Sequence, residues 1–104
     1  MREIESIEEF DNLCLSTASV DKILVVDFFA PWCRPCSRVA PLYEKLSYRY
    51  HYSDVTFVKV NVDVCTDLTF REHISSLPTF KIYKDGSCIG TFTGKSPLAC
   101  FYAV

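Results

Sequence analysis

The stretch Ile23-Leu24-Val25-Val26-Asp27-Phe28-Phe29-Ala30-Pro31-Trp32-Cys33-Arg34-Pro35-Cys36 decides how the rest of the chain is read. Its first seven residues are aliphatic or aromatic apart from Asp27, too continuously apolar for a strand with one wet face. They predict a central, parallel strand. From Cys33 onward Val39, Leu42, Tyr43, Leu46 and Tyr50 share one helical stripe, with Glu44, Lys45 and Arg49 off it, which predicts a helix from Cys33 to about Tyr50. Pro41 falls inside that helix, removes one backbone hydrogen bond and is expected to kink it. Two cysteines therefore stand between the carboxyl end of a buried strand and the start of a helix, where α/β sheets concentrate their ligand chemistry.

On either side the pattern continues without repeat or linker. A short strand around Arg2 to Glu5 precedes a capping box, Ser6 with Glu9, and Ile7, Phe10, Leu13 and Cys14 then recur at helical spacing. Val55 to Val62 reads as a β-branched strand, and Cys65 to about His73 as a short helix. Thr79 to Tyr83 and Ser87 to Thr93 flank Asp85-Gly86, a strong hairpin signal. Ser96-Pro97 reads as the cap and first residue of a last short helix. The order β-α-β-α-β-α-β-β-α implies a mixed sheet covered on both faces through right-handed crossovers.

Composition narrows the function classes. At 104 residues the chain makes one domain, residues 1–104, and its 49% hydrophobic and 23% charged residues are ordinary globular usage. Eleven basic against thirteen acidic residues leave a net charge of −2, which gives no overall footprint for nucleic acid or an anionic membrane. No apolar run approaches the ~20 residues of a membrane-spanning helix. The acidic start Met1-Arg2-Glu3-Ile4-Glu5 suits neither a signal peptide nor a mitochondrial presequence, so a cytoplasmic or nuclear protein with mostly reduced cysteines is expected.

Of the six cysteines, at 14, 33, 36, 65, 88 and 100, only Cys33 and Cys36 form a CxxC pair. Residues three apart on a first helical turn have Cα atoms about 5 Å apart, inside the range a disulfide bridges. Unpaired N–H groups and the positive helix end favour a thiolate on Cys33, which becomes the attacking sulfur and the more exposed one. Cys36, one turn further in, is placed to resolve the mixed disulfide, and Pro35 pre-sets helical φ. A zinc site would need a second ligand pair, and Cys65, Cys88, Cys100, His51 and His73 supply neither a second CxxC nor a histidine pair at zinc spacing. No metal is therefore expected.

The ordered set VVDFFAPWCRPC, Pro41, FVKVNVD, SLPTFKIYKDG and Gly94 resembles the thioredoxin family over essentially the whole chain. Cys65, following Val-Asn-Val-Asp, resembles the eukaryotic cytosolic members. The resemblance implies an α/β thioredoxin fold, a central mixed sheet of five strands flanked by four helices. It implies a protein-disulfide reductase that binds no cofactor, carries electrons on the Cys33–Cys36 disulfide, acts on disulfide-containing target proteins as a monomer, and is recycled by a separate NADPH-dependent flavoenzyme, thioredoxin reductase. It also implies that Asp27 works behind Cys36 as general base or acid, and that Pro78 is a cis proline facing the cysteines.

Trp32, Pro35, Leu77, Thr93 and Gly94 are expected to surround the sulfur with a modest apolar patch that contacts targets. Lys59 is a candidate charge partner for Asp27, with a solvated lysine as the alternative. Arg34 departs from the family's usual glycine, so partner fit and redox poise are expected to shift, and the last helix is a few residues short. Buried packing is the default for Cys14, Cys65, Cys88 and Cys100, with a regulatory disulfide at Cys65 as the lesser reading. A binding module with an incidental dithiol, an oxidase or isomerase, and a metal centre shared between two chains are the alternatives to a reductase.

Overall fold

Alternating apolar segments and turn residues give eight elements in the computed structural model, which describes residues 1–50 and 54–94. In chain order they are β1 (Arg2–Ile4), α1 (Ile7–Ser19), β2 (Ile23–Phe29), α2 (Arg34–Arg49), β3 (Val55–Asn61), α3 (Thr66–Arg71), β4 (Thr79–Lys84) and β5 (Ser87–Thr93). The sheet order is β1-β3-β2-β4-β5, with β1, β3 and β2 parallel and β4 and β5 antiparallel to their neighbours. This is the five-stranded mixed sheet expected from the sequence. Three helices are described rather than four, because the helix expected at Ser96-Pro97 lies outside the described residues.

Local chemistry sets the boundaries. Ser6 caps α1 by accepting from the Glu9 N–H at 3.1 Å. The Glu9 carboxylate reaches past Ser6 to the Glu5 N–H at 2.8 Å, a capping box displaced by one residue, and pairs with Arg2 at 2.9 Å. In the hairpin Asp85 and Gly86 both have positive φ, 52° and 79°, the geometry of a two-residue turn whose twist matches its strands. One extra residue, Ile89, bulges from β5 where Ile82 opposes Gly90 and Tyr83 opposes Cys88. Pro41 is accommodated inside α2 on an exposed turn, where the carbonyl it leaves unpaired can meet water.

The central strand sorts the core. Leu24, Val26 and Phe28 point to one face, where they pack with Ile4, Phe10, Leu13, Val58, Val60 and Leu68 under α1 and α3. Val25 points to the other, with Val39 and Tyr43 of α2, Phe57, Phe80 and Ile82. Strand period two places Asp27 on this second face, beneath α2. The Tyr43 hydroxyl lies 2.8 Å from the Val58 carbonyl and 3.1 Å from that of Val25, pinning α2 across β2 and β3.

Candidate active site

Cys33 is the residue that caps α2, not its first helical residue as the periodicity suggested. Its side chain accepts from the Cys36 N–H at 3.2 Å, so the sulfur occupies the place a capping oxygen usually takes. Cys33 and Cys36 are joined as a disulfide with Cα atoms 5.3 Å apart. They pack with Ala30, and Phe29, Val62 and Leu77 close around them. Both are buried, at 5% and 3% exposure, so the expected difference in accessibility is slight. Access comes from one side, where a groove of about 450 Å³ opens between the α2 cap and the loop before β4.

The groove is lined by Trp32, Cys33, Arg34, Pro35 and Leu77, and also by Val62, Thr69, Ile74, Ser75 and Ser76, which the sequence reading did not single out. The place of Val62 depends on parallel pairing. Phe29 opposes Asn61, and the Val62 N–H donates to the Phe29 carbonyl at 2.9 Å, so the segments leaving β2 and β3 emerge side by side. Asp63 was missed for the same reason. Its carboxylate accepts the Trp32 indole N–H at 2.8 Å, orienting a ring that stays 70% exposed. The only hint was the Asp63 that ends Val-Asn-Val-Asp, which no local pattern ties to Trp32.

Pro78, Thr93 and Gly94 border the site without lining the groove. The Leu77–Pro78 peptide is cis, Pro78 is fully buried, and its carbonyl accepts the Gly94 N–H at 3.2 Å. Phe28 opposes Thr79, which opposes Thr93, so these residues stand level with the end of β2 that leads to the cysteines. Arg34 is exposed at the rim.

Asp27 is 4% exposed, and its Oδ1 has no hydrogen-bond partner among the described residues. Burial pushes its pKa up to about 7, against a weaker downward pull from Lys59. Lys59 opposes Asp27 in the register but forms no ion pair with it, and its ammonium sits 5.2 Å from the Phe29 ring centroid. A cavity of about 70 Å³ lies against Asp27, Ala40, Tyr43 and Lys59. Ala40 is one helical turn beyond Cys36, so the acid's cavity and the second sulfur share one strip of α2.

The remaining cysteines separate. Cys65 is buried, donates its thiol to the Ile4 carbonyl at 3.4 Å, and has its pKa raised chiefly by burial. Cys14 is half-buried, and desolvation pushes it up to about 11, with Asp11 and Glu72 adding to the shift. Cys88 corrects the default of buried packing: it is exposed, because it follows the hairpin turn at the open end of the edge strand β5. Cys100 and His51 lie outside the described residues. Among the described residues no group of three His, Cys, Asp or Glu side chains could hold a metal, and no helix is long and apolar enough to cross a membrane.

The family model described as Thioredoxin matches residues 3–103. Thioredoxin 1 of Plasmodium falciparum is 43% identical over 96 residues, which is 92% of this chain and 86% of that protein. The X-ray structure of Fasciola hepatica thioredoxin superposes with a TM-score of 0.90 at 30% identity, covering 98% of this chain and 94% of the other. The oxidized form of mitochondrial thioredoxin 3 from Saccharomyces cerevisiae gives 0.86 at 35% identity, covering all of this chain and 92% of its own.

Proposed function

The chain belongs to the thioredoxin family and is a disulfide reductase working through its CxxC pair, and from that premise we propose how its residues divide the work. Cys33 attacks and Cys36 resolves. The observation that carries this assignment is the Cys36 N–H directed at the Cys33 sulfur from the first turn of α2. Once the pair is reduced, that donor and the positive helix end favour negative charge on Cys33, while Cys36 lies further inside the helix.

In the forward reaction the Cys33 thiolate bonds to one sulfur of a target disulfide and the other leaves as a thiolate, which takes up a proton from solvent. The Cys36 thiol gives its proton to the Asp27 carboxylate, through water in the adjoining cavity, and attacks Cys33. The Cys33–Cys36 disulfide forms, and the target's second sulfur departs reduced. A carboxyl group with a pKa near 7 is half-ionised at neutral pH and suits a proton passed in both directions. Two electrons from a separate NADPH-dependent flavoenzyme, thioredoxin reductase, restore the dithiol.

Trp32, Arg34, Pro35 and Leu77 form the wall on which a target rests. The backbone beside cis Pro78, with Thr93 and Gly94, offers an edge against which an extended target segment can pair. A reducing compartment such as the cytosol suits a chain with an exposed free thiol at Cys88, although a relative of this fold is mitochondrial. The test is to trap the intermediate. Cys36→Ser is expected to accumulate a mixed disulfide through Cys33 with a disulfide peptide, read by mass spectrometry. An adduct on Cys36 in Cys33→Ser, with none on Cys33 in Cys36→Ser, would reverse the roles.

A further inference from the structure

The solvent face of α2 carries a charge pattern that disulfide exchange does not call for. Arg34, Arg38, Lys45 and Arg49 recur at spacings of four, seven and four residues, so they fall on one stripe of the helix. All four are exposed, and the helix holds a single acidic residue, Glu44. This concentration stands out in a chain whose net charge is −2. Arg34, Arg38 and Lys45 make no ion pair among the described residues, whereas Arg2 and Arg71 on the opposite side of the sheet are each held by carboxylates. Arg38 and Lys45 of the stripe line a shallow groove of about 510 Å³ together with Pro41, Leu42 and Tyr48, and Glu44 is its one acidic lining residue.

We propose that this stripe is a docking track for an acidic segment of the target protein, running from the disulfide along α2. The inference rests on the reductase reading above. The track starts at Arg34, on the rim of the Cys33 groove, and is therefore continuous with the site a target disulfide must reach. At 1.5 Å per residue it extends about 22 Å, the reach of about seven residues of extended chain. Carboxylates of such a segment face the guanidinium and ammonium groups, and its apolar side chains settle on Pro41 and Leu42. Attraction of this kind acts mainly on encounter and on the choice among targets, since the sulfur chemistry is the same for all of them.

The experiment compares three disulfide peptides that differ only in a seven-residue tail, rich in Asp and Glu, in Ser and Gly, or in Lys. With the wild-type protein at low salt the acidic tail is expected to raise kcat/KM about 10-fold over the neutral one, and the gap to close toward unity at ~0.5 M salt. The double variant Arg38→Glu/Lys45→Glu is expected to invert the order of acidic and basic tails while reducing the neutral peptide at the wild-type rate. Equal rates for the three tails, or an order the variant leaves unchanged, would overturn the track. So would competition by a single-stranded oligothymidine with no preference among the tails, because the stripe would then read nucleic acid. Absence of turnover on the neutral peptide with the wild-type protein is a separate outcome, and it would strike the reductase reading.

Discussion

Cys33 and Cys65 occupy matching places: each follows a parallel strand of the sheet and stands at the cap of the next helix. Their chemistry nonetheless differs. The Cys33 sulfur turns into its helix, accepts the Cys36 N–H, and has a partner sulfur one turn on. The Cys65 sulfur makes no cap bond and turns instead to the Ile4 carbonyl of β1, beneath the apolar layer under α1 and α3. A helix start is therefore not enough to activate a thiol. The sulfur must face the free N–H groups and a route to solvent, and α3, with six residues, also supplies a weaker dipole than the sixteen residues of α2.

The largest expected effect tests that contrast directly. Cys33→Ser is expected to lower insulin-disulfide reduction by more than about 10³-fold, because the sulfur proposed to attack is gone. Cys65→Ser is expected to leave turnover within about 2-fold. Comparable losses in the two variants would show that sulfur direction does not separate the two thiols.

Asp27→Ala comes next, and it separates stability from rate. A native pKa of about 7 against the ordinary carboxylate value means the folded state binds more protons than the unfolded state between about pH 4 and 7. Wild-type stability therefore falls as pH rises through that window, by about 1.4 kcal/mol per unit at most. The variant, spared this cost but left with a small void, is expected to gain about 1–3 kcal/mol at pH 8 and to lose about 1–3 kcal/mol near pH 4, where the native acid is already neutral and only the void remains, while reducing targets roughly 10-fold more slowly. Urea melts at the two pH values, paired with the rate, decide it. A variant less stable at pH 8 and fully active would make Asp27 a structural partner.

Cys65→Ala should cost about 1 kcal/mol of stability, the loss of one buried sulfur, and leave activity intact. In the native reduced protein iodoacetamide is expected to label Cys33 rapidly and to spare Cys65 until denaturant is added. Rapid labelling of both would place Cys65 nearer solvent than its 1% exposure.

The smallest effect concerns Arg34. A guanidinium at the groove rim favours the thiolate, which exists only in the reduced state, so it makes the pair more oxidising. At ~0.2–1 kcal/mol for an exposed charge, Arg34→Gly is expected to lower the reduction potential by roughly 5–20 mV, read by equilibration with glutathione. An unchanged potential would assign Arg34 wholly to the docking track on α2.

Much of this was legible in one dimension. The run from Ile23 to Cys36 implied a buried strand, a reactive turn and a helix, because period, β-branching and cysteine spacing are local properties that survive any tertiary arrangement. The hairpin at Asp85-Gly86 was equally plain, since few residues tolerate positive φ. What the chain alone left open depends on partners far away in sequence. Asp63 meets Trp32 and Val62 walls the groove because parallel pairing of β2 with β3 brings the segments that leave them together, and Thr69 and Ile74 reach the groove from α3 and the segment after it. The burial of Cys65 against Ile4 and the exposure of Cys88 likewise follow from neighbours on other strands and from the position of β5 at the sheet edge. Burial and sulfur direction are set by packing, and packing is a property of the assembled sheet rather than of any segment in it.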